Sequence, residues 1–146
     1  MMSSSNSDKV TITLPCRPEF VAVVRLALLG VASRLPFSYD EVEDLRLAVG
    51  EACTYAVERA GSISAKLMVS ICIDKEGLEI DVVDDVPQNT PKRTSAQDYD
   101  LLEETGVDQE GLGALLMEIL VDKVVISPGP NGTTVHLTKF APKQSA

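Results

Sequence analysis

The stretch from Ser38 to Asp84 constrains the fold of this 146-residue chain more than any other. Ser38 precedes Glu41 by three residues, a capping-box spacing that predicts the start of a helix. The helical pattern buries one stripe and stops at Gly61, and two segments with alternating apolar residues follow, "KLMVSICID" and "LEIDVVDD". An amphipathic helix must bury its apolar stripe against another element, and helices and strands together predict an α+β protein.

The rest of the chain adds more elements of both kinds. "VTITLP" alternates like a half-buried strand, and residues 19–35 have apolar side chains at helical spacing until Pro36. "GLGALLMEILVDKV" predicts a third helix, and "KVVIS" and "TTVHLTKF" predict two last strands joined by a turn. The order predicts a two-layer sandwich: a mixed β-sheet with helices on one face and the other face partly open.

The length predicts one domain, which we place at residues 10–140 between disordered tails at 1–9 and 141–146. Inside it, residues 87–110 lose all periodicity. A structureless loop longer than about 15 residues in a compact domain is usually a lid, a binding loop or disorder.

Composition excludes several classes of function. The net charge of −9 disfavours a nucleic-acid partner, since such binding neutralises phosphates with Lys and Arg. No apolar run reaches the roughly 20 residues of a membrane span, and "MMSSSNSDK" lacks the apolar core of a signal peptide, so we predict a cytoplasmic protein without membrane partners. Cys16, Cys53 and Cys72 have no metal-site spacing and are predicted to be free, buried thiols. His136 is predicted to be an ordinary strand residue.

Three features are candidates for a functional site. Gly111 and Gly113 open the third helix, where backbone amides and the helix dipole favour an anion such as phosphate. Asp84 ends an apolar strand, where a carboxylate can accept a hydrogen bond from the exocyclic amine of adenine. Glu51 and Tyr55 lie one turn apart on one helix face, where Glu51 can serve as general base or orient a water. Each feature also has a plainer interpretation: a helix start, a strand end and a solvated helix face.

In this order, "EACTYAVERA", "DVVDD", "GLGALLMEIL" and "NGTTVHLTK" resemble the ATP-binding anti-sigma factor kinases of the RsbW and SpoIIAB type. These proteins belong to the GHKL group, which has the Bergerat ATP-binding fold. The likeness runs from about Val10 to Phe140, and "YDEVEDLRLAVGEACT" is typical of that family in particular. It implies a homodimer that binds and inhibits a sigma factor in a stress response. It also implies that ATP and Mg²⁺ are used to phosphorylate a serine of an anti-anti-sigma antagonist with a STAS domain.

The resemblance also implies roles for single residues. Glu51 matches the catalytic glutamate that activates the attacking serine, and Asp84 matches the aspartate that recognises the adenine amine. Gly111 and Gly113 match the glycines that cradle the phosphates at the end of the lid.

Two more matches concern the base and the partner, and two positions depart from the family pattern. Thr134 matches a threonine near the adenine, with Thr133 as the alternative, and Arg25 resembles an arginine of the partner-binding surface.

Tyr55 stands where the family has the asparagine that coordinates Mg²⁺, and Val86 stands where it has the glycine of an Asp-x-Gly motif. A phenol is neutral near pH 7, since its pKa is about 10, and Mg²⁺ prefers hard oxygen ligands. Valine also disfavours a positive φ that glycine adopts.

Three hypotheses follow. In the first, the chain is an anti-sigma factor and serine kinase, and another group such as Asp85 or Asn89 replaces the asparagine. In the second, it is a catalytically impaired pseudokinase that acts only as a protein-binding regulator. A third, a small-ligand ATPase of the GHKL group, is disfavoured by the short single-domain chain.

Overall fold

The computed structural model describes residues 8–88 and 109–142. In these ranges the strands and α-helices follow the predicted order. They are β1 (Asp8–Pro15), α1 (Val21–Ala32), α2 (Tyr39–Ala60), β2 (Lys66–Asp74), β3 (Gly77–Asp84), α3 (Gln109–Leu120), β4 (Lys123–Gly129) and β5 (Gly132–Phe140). Most of the predicted lid, residues 89–108, and most of both predicted tails lie outside the described residues, but β1 begins earlier than the expected Val10.

The strands form one sheet in the order β1-β2-β3-β5-β4. Every neighbouring pair is antiparallel, so the expectation of a mixed sheet was wrong in strand direction. The reason is the position of β5. β4 does run parallel to β3, but the β4–β5 hairpin places β5 between them, and β5 is antiparallel to both.

Helix α2 begins and ends as its sequence predicts. The Ser38 Oγ accepts a hydrogen bond from the Glu41 amide at 3.1 Å, and the Glu41 carboxylate accepts one from the Ser38 amide at 2.9 Å. This capping box satisfies two amides that a helix start otherwise leaves without partners. At the other end Gly61 adopts φ of 58°, a conformation that side chains disfavour.

The other two helices differ from their predicted bounds. Pro18–Phe20 forms a 3-10 turn, so α1 starts at Val21 and not at Glu19. Helix α3 starts at Gln109, ahead of the glycines that are predicted to open it. It ends at Leu120, and β4 begins at Lys123.

The core lies between the helices and one face of the sheet, which confirms the two-layer α+β architecture. Leu28 of α1 and Leu45 and Val49 of α2 are fully buried against the alternate residues of β2 and β3 that point the same way. Burial of each such side chain contributes about 1.5–3 kcal/mol, so this layer fixes where α2 lies on the sheet. The opposite face of the sheet carries more polar residues, such as Thr11 and Ser70, and has no helix of the described chain on it.

Candidate functional site

A cavity of about 290 Å³ lies between α2 and α3 and reaches β4. Helix α2 contributes polar side chains to it, whereas α3 contributes mainly backbone and apolar groups. The lining residues are Glu51, Thr54, Tyr55, Glu58, Leu112, Gly113, Ala114, Leu116, Met117 and Ile126. The volume is at the lower end of ordinary small-molecule sites, which span about 300–1,000 Å³.

Glu51 and Gly113 are neighbours in the lining of this cavity. A Cβ placed on Gly113 would lie 3.4 Å from Glu51 Oε2, which is ordinary contact distance. The absence of a side chain at Gly113 therefore leaves the first turns of α3 open towards the carboxylate. The structure thus brings together two of the predicted site residues, which are far apart in the sequence.

Tyr55 also lines the cavity, one helical turn after Glu51. The face of its ring is covered by Arg59, whose guanidinium carbon is 5.4 Å from the ring centroid. Such a cation–π contact contributes about 0.5–2 kcal/mol, depending on desolvation. The phenol that replaces the expected asparagine therefore packs against an arginine one turn further along α2.

Arg59 in turn forms a buried ion pair with Asp84. Its Nη1 lies 2.7 Å from Asp84 Oδ2, and the two side chains are 9% and 3% exposed. The Arg59 Nη2 donates a second hydrogen bond, at 3.2 Å, to the backbone carbonyl of Val86. The sequence analysis did not identify Arg59, although its spacing of one turn from Tyr55 places it on the same helix face.

The second carboxylate oxygen of Asp84 is held by the backbone. It accepts hydrogen bonds from the Val86 amide at 3.0 Å and from the Thr133 amide at 3.3 Å. Gly132 packs so closely against the Asp84 backbone that a Cβ on Gly132 would be 1.9 Å from the Asp84 carbonyl oxygen. Asp84 is therefore fixed by β3, by the turn after it and by the β4–β5 hairpin.

Thr133, and not Thr134, shares the inner side of the sheet with Asp84. Thr133 is buried, and its hydroxyl accepts a hydrogen bond from the Gln88 side chain at 3.1 Å. Thr134 alternates with it and points to the opposite face, together with His136. The structure thus favours the alternative threonine of the sequence analysis over Thr134, because residues alternate faces along a strand.

Like Asp84 and Thr134, two more predicted residues lie outside the cavity lining. Gly111 is exposed in the first turn of α3. Arg25 lies on α1 against α2, where a Cβ on Gly50 would be 2.6 Å from Arg25 Nη2. Gly50 therefore leaves room for the guanidinium, which is half-buried at the junction of the two helices.

Val86, which replaces the family glycine, is fully buried in the core. No non-glycine residue in the described part of the chain has a positive φ, so Val86 adopts an ordinary backbone conformation. The turn after Asp84 is therefore built differently from one that requires glycine: valine fills core space there, while its amide and carbonyl bind Asp84 and Arg59.

The described side chains do not form a metal cluster of their own. No group of three or more His, Cys, Asp or Glu side chains suitable for a metal occurs in residues 8–88 and 109–142. In the cavity, Tyr55 offers a phenol where Mg²⁺ prefers carboxylate, amide or carbonyl oxygens in a tight octahedron. Asp85, one of the substitutes we considered, is instead bound to the Lys66 amide at 2.7 Å.

All three cysteines are free thiols, as predicted, and two of them are buried. Burial raises the pKa of the Cys53 thiol from 9.0 to about 12 and that of Cys16 to about 11, with Asp84 and Asp85 as further causes for Cys16. Burial also raises the pKa of Cys72, which is half-buried. These thiols therefore stay protonated at neutral pH and are unsuited to nucleophilic chemistry.

A groove of about 410 Å³ lies outside the α2–α3 cavity and includes His136 and Lys123. His136 Nδ1 is 2.6 Å from Asp81 Oδ1, and its Nε2 is 3.7 Å from Glu79 Oε1. None of the candidate site residues lines this groove, so we give the smaller α2–α3 cavity more weight as the functional site.

Comparison with known proteins identifies the family of the chain. Residues 14–139 match the profile of the histidine kinase-like ATPase domain. The chain belongs to this family. The chain is 37% identical over 147 residues to serine-protein kinase RsbW of Bacillus subtilis (strain 168), an alignment that covers 93% of the chain and 88% of that protein. It is 38% identical over 140 residues to RsbW of Listeria monocytogenes (serotype 4b, strain F2365), covering 91% and 87%.

A solved structure supports the same fold. The chain superposes on a crystal structure of the RsbU and RsbW domains of a Mycobacterium tuberculosis protein with a TM-score of 0.67 and 18% identity, covering 93% of this chain and 33% of that one. The predicted family and fold class are therefore confirmed, and the α2–α3 cavity belongs to an ATPase-type domain. Within the described residues, no helix is long and apolar enough to cross a membrane.

Proposed function

We propose that this protein is an anti-sigma factor of the RsbW type that also acts as a serine kinase. In this function it binds and inhibits a sigma factor, and an anti-anti-sigma antagonist releases the sigma factor. The protein then uses ATP to phosphorylate a serine of the antagonist. The similarity to serine-protein kinase RsbW supports the class. The observation that carries the kinase step is the position of the Glu51 carboxylate beside Gly113, in the second turn of α3.

The residues of this site can divide the work of binding and proton transfer. Asp84 would accept a hydrogen bond from the adenine amine. The backbone at Gly111, in the first turn of α3, would bind the phosphates, and Gly113 would leave space for them because it has no side chain. ATP supplies the phosphoryl group when bound. Glu51 lines the cavity beside that position, where its carboxylate can accept the proton of the attacking serine hydroxyl. We derive no step through Mg²⁺, because Tyr55 offers a phenol in the cavity where Mg²⁺ prefers harder oxygen ligands.

A second candidate is a binding-only regulator of the same fold. Two features favour it. Tyr55 occupies the position where the kinase function needs a metal ligand, and Arg59 occupies the Asp84 carboxylate that this function needs for adenine. In this case the protein captures the sigma factor, and release depends on the antagonist alone. A missing metal contact lowers a phosphoryl-transfer rate by several orders of magnitude without removing protein binding.

A phosphotransfer assay separates the two candidates. The purified full chain is incubated with radiolabelled ATP and the antagonist encoded in the same genome, and incorporated phosphate is counted. The kinase proposal expects labelling of a single antagonist serine, which Glu51→Ala reduces at least a hundredfold. Glu79→Ala, on the opposite face of the sheet, serves as the matched control and should retain the wild-type rate.

Sigma capture is measured on the same variants. Both candidates expect Glu51→Ala to bind the sigma factor like the wild type, since Glu51 faces the cavity. Labelling that survives Glu51→Ala would contradict its assigned role. No labelling of the antagonist by the folded wild type would leave the binding-only candidate.

The partner surface and the assembly are further parts of this proposal. We propose that Arg25 contributes to the sigma-binding surface, in a cytoplasmic homodimer that acts in a stress response. Arg25→Ala should weaken sigma capture at least tenfold, while Arg34→Ala, beyond the end of the same helix, should not. Equal capture by both variants would remove Arg25 from the surface.

A further inference from the structure

The Asp84 carboxylate is closed off by a side chain of the same domain. Its side chain is only 3% exposed, and the group that covers its Oδ2 is the Arg59 guanidinium at 2.7 Å. Its Oδ1 is already bound by the Val86 and Thr133 amides. Because the Asp84 side chain is buried and Arg59 covers Oδ2, a ligand that donates a hydrogen bond to Oδ2 must first move Arg59 aside.

Arg59 presents N–H donors to Asp84, as the exocyclic amine of adenine would. One guanidinium nitrogen donates to the carboxylate, and the other donates to the Val86 carbonyl at 3.2 Å. The planar guanidinium thus bridges a carboxylate and a backbone carbonyl, which the smaller ammonium of a lysine does not present in the same fixed geometry. The guanidinium thus takes the place that the exocyclic amine of a purine would take.

Tyr55 explains how this arrangement is held. Its ring lies under the guanidinium, with 5.4 Å from Arg59 Cζ to the ring centroid, and both residues come from α2. Tyr55 also lines the α2–α3 cavity. An asparagine at this position would offer no aromatic face, so the tyrosine and the arginine form one unit that spans the cavity and Asp84.

We propose that Arg59, positioned by Tyr55, is a latch that occludes the adenine-recognising carboxylate, so that adenine binding requires Arg59 to leave Asp84. This inference rests on the proposed function, which assigns Asp84 to the adenine. Arg59 acts here as a specificity-determining residue that competes with the base. The apparent affinity for adenine therefore equals the intrinsic affinity multiplied by the fraction of molecules in which the latch is open.

The test uses adenosine, which has no phosphates that could attract the guanidinium, and the full-length protein. Calorimetric titration is carried out on the wild type and on Arg59→Met, which keeps an unbranched apolar stem. Arg59→Met should bind adenosine at least tenfold more tightly than the wild type. Arg46→Met is the matched control: Arg46 pairs with Glu43 on the same helix, outside the cavity, and its variant should bind adenosine like the wild type.

Removing one partner of a buried ion pair is destabilising, so Arg59→Met could fail to fold. Two additional variants keep the latch testable in that case. Arg59→Lys keeps one charge-assisted bond, and Tyr55→Leu removes the aromatic face but keeps the ion pair; each should give an intermediate gain in adenosine affinity. If no folded variant binds adenosine more tightly than the wild type, the latch is refuted. Sigma capture is measured in parallel: capture without a gain in adenosine affinity refutes only the latch, whereas no capture by the wild type refutes the proposed function.

Discussion

The substitution Gly132→Ala tests whether the β4–β5 hairpin fixes Asp84. Gly132 has φ of 149°, a conformation that side chains rarely adopt, and a Cβ there would be 1.9 Å from the Asp84 carbonyl oxygen. Backbone strain of this kind costs about 1–3 kcal/mol. Relief of the overlap must also move Thr133 away from the Asp84 carboxylate, and loss of a hydrogen bond to a charged group costs about 1.5–3 kcal/mol. We therefore expect the free energy of unfolding to fall by about 3–5 kcal/mol.

Urea unfolding followed by circular dichroism measures this loss, with Gly30→Ala as the matched control. Gly30 lies in α1, and a Cβ there meets nothing within 4 Å. Alanine has the better helix propensity, so Gly30→Ala should stabilise the protein by about 0.5–1 kcal/mol. A loss below about 1 kcal/mol for Gly132→Ala would refute the reasoning, because the hairpin would then have to tolerate a side chain against Asp84.

Three more predictions concern the cavity, the thiols and the helix cap. Tyr55→Asn supplies an amide oxygen, so ATP affinity measured by calorimetry should become at least tenfold higher with Mg²⁺ than without it; Tyr55→Phe should show no magnesium effect. The folded-state pKa of Cys53 is raised from 9.0 to about 12, so the unfolded chain loses this proton first and stability must fall as the pH rises from 9.0 to about 12. Cys53→Ala should show a smaller fall in urea titrations over that range, and an unchanged slope would contradict the buried thiol. Ser38→Ala removes the side-chain half of the capping box and should lower the free energy of unfolding by about 1 kcal/mol; no change would contradict its role as a cap.

Local signals in the sequence were sufficient for α2 and the β2–β3 hairpin. Ser38 and Glu41 form the expected capping box, and Leu67, Val69 and Ile71 occupy the buried face that their alternation predicts. These features depend on residues close in the chain, which is why they could be predicted. Strand direction depends instead on the path of the whole chain, and alternation carries no information about it.

The site was only partly predictable for the same reason. The Arg59–Asp84 contact joins residues 25 apart, and no local pattern specifies that ion pair. The choice between Thr133 and Thr134 did have a signal. Val135 and Leu137 are the apolar residues of β5, so Thr133 shares their inward face.

Capture and release of a sigma factor is the most direct test of the proposed function. The full-length protein is titrated calorimetrically into each sigma factor of its source organism, and the unphosphorylated antagonist is then added to any complex. We predict saturable binding to one sigma factor and its release by the antagonist. If the folded protein binds none of them, the proposal that it is an anti-sigma factor is contradicted.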